Sequence, residues 1–297
     1  MIPQPLTGTA RVESKTGVGA LRTRACGSEL PLIVHADDFG ETLEITRGIC
    51  RGIEAGVITS TSVMANMAAT HEALERAATL GDRASFGVHL NLCEGKPLCA
   101  GRSLVDGDGR FHGKRALFVA CLTGRLRLAE VEAEIAAQIA RVRDSGLRIS
   151  HLDGHKHLHQ LPVVSAAVAN VLPRFGIERV RITRLGRLTH VRKATTLMRE
   201  LLALKASRKF GRARLRSPVR TVDLQALIAE YGEPAVSASL VDPSGPVELC
   251  CHPGTAAADL QKPGSHARRV ELEFLLSPRF RELLVINRAR LVSYWDV

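Results

Sequence analysis

Residues Ile33–Gly40, IVHADDFG, run from an apolar, β-branched start into two adjacent carboxylates and a glycine. The apolar part reads as a buried strand, and the Asp37-Asp38-Phe39-Gly40 ending reads as its carboxyl end, where the backbone turns away. Asp38-Phe39-Gly40 is also the magnesium-holding triplet of protein kinases. That reading fails, because only 37 residues precede Asp38 and a glycine-rich loop, a strand lysine and a His-Arg-Asp loop would all have to come first. A blander alternative makes the pair a helix N-cap and its neighbour, favoured by capping and by the helix dipole.

Further apolar runs follow at Ile58–Met64, Ser85–Leu90, Ile149–Leu152, Arg179–Ile182, Val247–Cys250 and Arg290–Tyr294, with Leu32–Ala36 as the first. Between them lie helical patterns at 41–55, 71–80, 128–143 and 161–175. Short β-branched runs alternating with longer helices define an α/β fold with a mainly parallel sheet. Two architectures satisfy that pattern, an open doubly wound sheet and a β/α barrel, and both place their sites at the carboxyl ends of strands. The Gly-rich stretch 93–115 reads as a long loop over one end of the sheet.

The residues after each run agree with one another. Asp37 and Asp38 follow the first; His89 ends the third in GVHLNL; Asp153, His155, His157 and His159 follow the fourth in HLDGHKHLH; His252 follows the sixth in LCCHPG. A lone histidine beside an apolar run is usually a hydrogen-bonded packing residue. Carboxylates and imidazoles at the ends of four separate strands instead predict a nitrogen-and-oxygen site for one divalent ion, zinc or magnesium, with manganese, cobalt or nickel also compatible. The two aspartates then need different tasks, one holding the metal and the other accepting a proton from water. His155-x-His157-x-His159 would align three imidazoles on a strand and splay them on a loop or helix.

The 297-residue chain is 45% apolar, enough for one large α/β domain spanning 29–297. It contains no apolar run long enough to cross a bilayer. Residues 1–28 have no apolar signal-like core and read as a flexible leader, which predicts a cytoplasmic protein. Seven cysteines without C-x-x-C spacing read as reduced thiols. The net charge of +11 is concentrated between Arg181 and Arg220, where thirteen Lys/Arg face one acid, Glu200. That segment reads as a cationic amphipathic helix, either a solvated face or a contact with an anionic membrane through Arg192, Lys193, Arg199, Lys205, Arg208 and Lys209.

ADDFG at 36–40, GVITSTSVMAN at 56–66, GVHLNLCEGKPL at 87–98, HLDGHKHLHQLP at 151–162 and CHPG at 251–254 together resemble the YdjC-like carbohydrate deacetylase family. The H-x-D-G-H-x-H-x-H-x-L-P form is most similar to its hopanoid-biosynthesis branch; the chito-oligosaccharide branch usually has Ser and His where this chain has Gly154 and Lys156. The resemblance implies a distorted β/α barrel that removes the N-acetyl group from an amino sugar, here an N-acetylglucosaminyl hopanoid. It implies Asp38, His89 and His155 as metal ligands, Asp37 as general base and His252 as the acid or oxyanion partner. Asp153, His157, His159 and His35 would be supporting or substrate-contacting groups.

Three other readings compete. A deacetylase of soluble chito-oligosaccharides differs only in substrate. A metal-dependent phosphoesterase would use arginines such as 181, 184 and 187 for phosphate. A non-enzymatic sugar or nucleic-acid binder fits poorly, since 4% aromatic content leaves few stacking surfaces, and no nucleic-acid partner is expected.

Overall fold

The computed structural model describes residues 29–183, 194–218, 220–231, 245–255 and 265–297, with Val236, Ser239 and Leu240. The leader 1–28, the arginines at 184 and 187, and Arg192 and Lys193 lie outside the described residues. Seven strands form one sheet: β1 (Leu30–Phe39), β2 (Ser60–Val63), β3 (Ser85–Leu90), β4 (Ile149–Gly154), β5 (Arg220–Asp223), β6 (Val247–Cys251) and β7 (Ala289–Leu291). The order is β4-β3-β2-β1-β6-β5, all parallel, with β7 paired to the first residues of β1. Around it pack α1 (Leu43–Glu54), α2 (Thr70–Leu80), α3 (Lys114–Leu122), α4 (Leu128–Arg143), α5 (Pro162–Val171), α6 (Ala194–Arg212), α7 (Leu224–Tyr231), α8 (Ser265–Leu276) and α9 (Pro278–Ile286). Strands covered on both faces read as continuous apolar runs, and β1 to β3 are buried almost throughout.

The sheet curls as a distorted β/α barrel in a single domain. Its open side, between β4 and β5, is narrowed by residues 179–182 and by Arg216. Arg181 N donates to Leu152 O at 3.0 Å, and Leu152 N to Arg179 O at 3.0 Å. Val180 N donates to Arg216 O at 2.8 Å, whereas Ile182 N turns to Ser217 Oγ at 3.0 Å. The segment Arg179–Ile182 therefore forms isolated bridges instead of the expected strand, because a side chain takes the next ladder bond. The last expected strand also shifts, to Ala289–Leu291, and Tyr294–Asp296 forms a 3-10 turn closed by a Ser293 capping box. β5 is a strand that sequence reading missed, four residues that start at Arg220, where the basic stretch ends.

Segment 93–115 is a loop up to the start of α3, and α4 pins it. Glu134 accepts from Leu98 N and Cys99 N at 2.8–3.0 Å, and Glu130 from Ser103 N at 2.7 Å. The six described cysteines are free thiols.

Candidate active site

The end of β1 is built around a bulge. The β1–β2 register slips between Ala36 and Phe39, and Asp38 takes a left-handed φ of 70°. Adjacent strand residues normally face opposite ways; the bulge brings both carboxylates to one end of the barrel. Thr42, not the aspartates, caps α1, accepting from Ile45 N at 3.3 Å. The capping alternative for Asp37 and Asp38 is therefore removed.

Asp38 Oδ1 lies 3.2 Å from His89 Nε2 and 2.9 Å from His155 Nδ1. Asp38 Oδ2 accepts from Arg268 at 2.6 Å. The other nitrogen of His89 donates to Asp153 Oδ1 at 2.9 Å, and that of His155 lies 3.2 Å from Glu94 Oε1 without hydrogen-bond alignment. Glu94 is in turn held by the Lys156 ammonium. Each imidazole thus has one face toward Asp38 and the other toward a carboxylate, the arrangement that orients metal-binding histidines.

Asp37 is gripped by Arg181 through two parallel bonds, Nη2 to Oδ1 at 2.8 Å and Nη1 to Oδ2 at 2.9 Å. The guanidinium, fully buried, also reaches Asp153 at 3.0 Å and Glu248 at 2.8 Å from Nε. Arg181 therefore belongs to the core of the site, although its sequence neighbourhood placed it in the basic stretch. His252, at the end of β6, keeps its Nε2 3.8 Å from Asp37 Oδ2, and its backbone N–H donates to Glu271 at 2.8 Å. His35 bridges the acids from below, with Nε2 3.2 Å from Asp153 and 3.4 Å from Asp37, and Nδ1 2.9 Å from Ser60 Oγ.

The remaining histidines separate. Lys156 and His157 adopt left-handed φ of 54° and 59°, so HKHLH splays. His157 Nδ1 meets Thr183 at 3.1 Å beside a cavity, and His159 Nε2 donates to Arg181 O at 2.9 Å. His151 stacks on Tyr294 with centroids 3.6 Å apart. That position requires glycine at 87, since a Cβ there would stand 2.4 Å from the imidazole. Burial pushes His151 well below the usual imidazole range, so it is neutral packing.

Charge explains the protonation states. Burial raises the Asp37 carboxyl, but Arg181, then His89, outweigh it and hold the group far below the usual carboxylate range. Burial lowers His89, yet the charges of Asp153 and Asp37 hold it well above the usual imidazole range; Asp38 and Glu94 raise His155 against its own burial. Asp37, Asp38, Asp153 and Glu248 are buried together, and Arg181 and Arg268 are the arginines bonded to them. The surplus negative charge and the converging Asp38, His89 and His155 atoms, within 4.8 Å of one another, fit a divalent cation.

The class this geometry defines is a barrel-end site of one carboxylate and two imidazoles able to hold a single divalent ion, flanked by a second acid and a partly exposed histidine. A family model for YdjC-like protein matches residues 31–285, and the chain belongs to that family. It is 40% identical over 161 residues to a Homo sapiens protein named carbohydrate deacetylase, over 52% of this chain and 48% of that one, so the chain spans about half the length of that curated relative. A Yersinia enterocolitica chitooligosaccharide deacetylase is 30% identical, with 89% of this chain and 98% of that one covered. A solved Enterococcus faecalis V583 protein, named for cellobiose-phosphate cleavage, superposes with TM-score 0.70 at 26% identity, covering 91% of this chain and 99% of that one.

Sequence reasoning missed Arg181, Arg268 and Glu94 as members of the site. Arg181 carried one signal, its place between Val180 and Ile182 in the short run Arg179–Ile182. Arg268 comes from α8, far along the chain, and nothing local marks it.

Proposed function

We propose that the chain is a metal-dependent hydrolase that removes an N-acetyl group from an amino sugar, and that the sugar is lipid-linked, an N-acetylglucosaminyl hopanoid, met at the cytoplasmic face of a membrane. The observation that carries the reaction class is the convergence of Asp38, His89 and His155 beside a separate acid and imidazole, Asp37 and His252, 3.8 Å apart. Names of relatives support the same class.

A divalent ion held by Asp38, His89 and His155 would acidify water and stabilise negative charge on the acetyl oxygen. Asp38 offers Oδ1 for this, because Arg268 occupies Oδ2. Asp153 fixes which nitrogen His89 turns inward, and Glu94 lies beside the outward nitrogen of His155. Asp37 accepts the proton as water adds to the acetyl carbon. Its bond to Arg181 keeps it ionised but makes it a weak base, so it needs water that is already acidified. His252 protonates the nitrogen as the C–N bond breaks, giving acetate and the free amine.

Chito-oligosaccharides are the second reading, favoured by the near full-length match to the Yersinia relative. A phosphoesterase is disfavoured because Arg181 is consumed by Asp37, Asp153 and Glu248. Incubation with an N-acetylglucosaminyl hopanoid and, separately, with chito-oligosaccharides, followed by mass spectrometry for loss of one acetyl, tests the proposal. Action on the soluble sugars alone would remove the lipid assignment; acetate release from neither would remove the activity.

A further inference from the structure

Beside the site, a cavity of about 950 Å³ lies between α3 and α6, with Lys156 and His157, the residues after His155, on its wall. Its two lips carry exposed apolar side chains, Val119 among them on the cavity wall. On α3, Arg115, Val119 and Leu122 stand at i, i+4 and i+7 and share one stripe, with Val119 51% and Leu122 61% exposed. On α6, Leu197, Leu201, Leu204 and Arg208 repeat that spacing, the leucines being 53%, 50% and 41% exposed. The other side of α6 packs inward through Ala203, Ala206 and Phe210, so the helix is apolar on both sides. Six of the eleven large exposed hydrophobics among the described residues lie on these two helices, which marks a patch instead of ordinary scatter.

Cations frame the patch. Lys114, Arg115, Arg199, Lys205 and Arg208 are exposed and form no ion pair among the described residues, and Asp223 is the acid on the cavity wall. Lys209 is excluded, because its ammonium turns inward to Pro162 O and to Ser165 Oγ at 3.2 Å.

We propose that the α3–α6 face docks on an anionic lipid bilayer, with Val119, Leu122, Leu197 and Leu201 entering the acyl boundary and the cations meeting headgroup phosphates. Outward apolar side chains at helical spacing, flanked by Lys and Arg, are the pattern of a helix lying in a membrane interface. A second copy of the chain is a poorer occupant, since its identical cations would be brought against these. The surface goes beyond the deacetylase reading and stands without it.

Co-sedimentation of the full chain with vesicles of phosphatidylcholine alone, or mixed with phosphatidylglycerol, at low and high salt tests the proposal. Binding to the mixed vesicles at low salt, weakened by salt, is expected. Lys205→Glu with Arg208→Glu should lower partitioning at least about thirtyfold. Leu122→Ser with Leu197→Ser and Leu201→Ser should lower it about tenfold or more at unchanged charge. Both variants alter exposed positions and should melt with the wild type. Absence of binding at low salt would overturn the proposal, as would equal binding by the serine variant. So would sedimentation velocity showing a dimer that the serine variant abolishes while vesicles stay unbound. Vesicle binding reads no acetate, so its failure leaves the catalytic reading standing, and loss of that reading leaves vesicle binding standing.

Discussion

Arg181→Met is the perturbation that most sharply separates a structural ion pair from a surface charge. The guanidinium is fully buried and holds Asp37, Asp153 and Glu248 through bonds of 2.8–3.0 Å. Methionine leaves three buried carboxylates without their cation, and breaking such a pair costs about 3–5 kcal/mol. For a domain of this size that corresponds to a fall of roughly 10 °C in Tm. The loss has a pH signature. Asp37 is held low in the folded state, so its contribution is complete above the unfolded carboxylate value of about 3.9 and disappears as pH falls through the folded value. The gap between wild type and variant should therefore be widest near neutrality and close on acidification. The acid limb of kcat/KM should move up by about one pH unit or more as Asp37, still buried, loses the cation that holds it low. Scanning calorimetry across pH with pH–rate profiles reads both quantities. A variant that melts within about 2 °C of wild type with an unmoved acid limb would refute the reasoning. Arg181→Lys, which keeps charge but loses the fork, should fall between the two.

Asp37→Asn should retain metal and lose turnover by about two to four orders of magnitude, whereas His89→Ala should lose metal in equilibrium dialysis; equal activity of either removes that role. Glu94→Gln should weaken metal binding by about tenfold or more, read by chelator competition, because His155 then loses the carboxylate beside its outer nitrogen. In chelator, His89 and His155 are held above the usual imidazole value. Their stabilisation is complete below about pH 6.5 and fades as pH climbs through the raised values. Melting temperature in chelator should accordingly fall as pH rises above about 6.5, and a divalent ion should flatten that slope.

The barrel was legible because its strands are buried on both faces: LIVHA, SFGVHL and VELCC read as runs without needing alternation. The position of Asp38, His89, His155 and His252 followed from one rule about strand ends. What escaped was contact between distant segments. Arg181 looked like one of thirteen cations until its neighbours from β1, β4 and β6 were in place. β5 escaped for a related reason, since RTVD offers one alternation at the end of a charged stretch and is specified by pairing with β6. The division of HKHLH among three surroundings depends on two left-handed residues that no periodicity announces.

The position of the acid pair on β1 has a mechanical consequence. That strand is laddered on one edge to β6 and on the other to β7 and then β2. Spreading Asp37 from Asp38 would mean shearing the middle of the sheet, so amides around Val34–Ala36 should exchange with deuterium about as slowly as global unfolding permits. Entry and exit of reactants must then be accommodated by the periphery, and improvements in turnover are better sought in the lips and loops than in the anvil they surround.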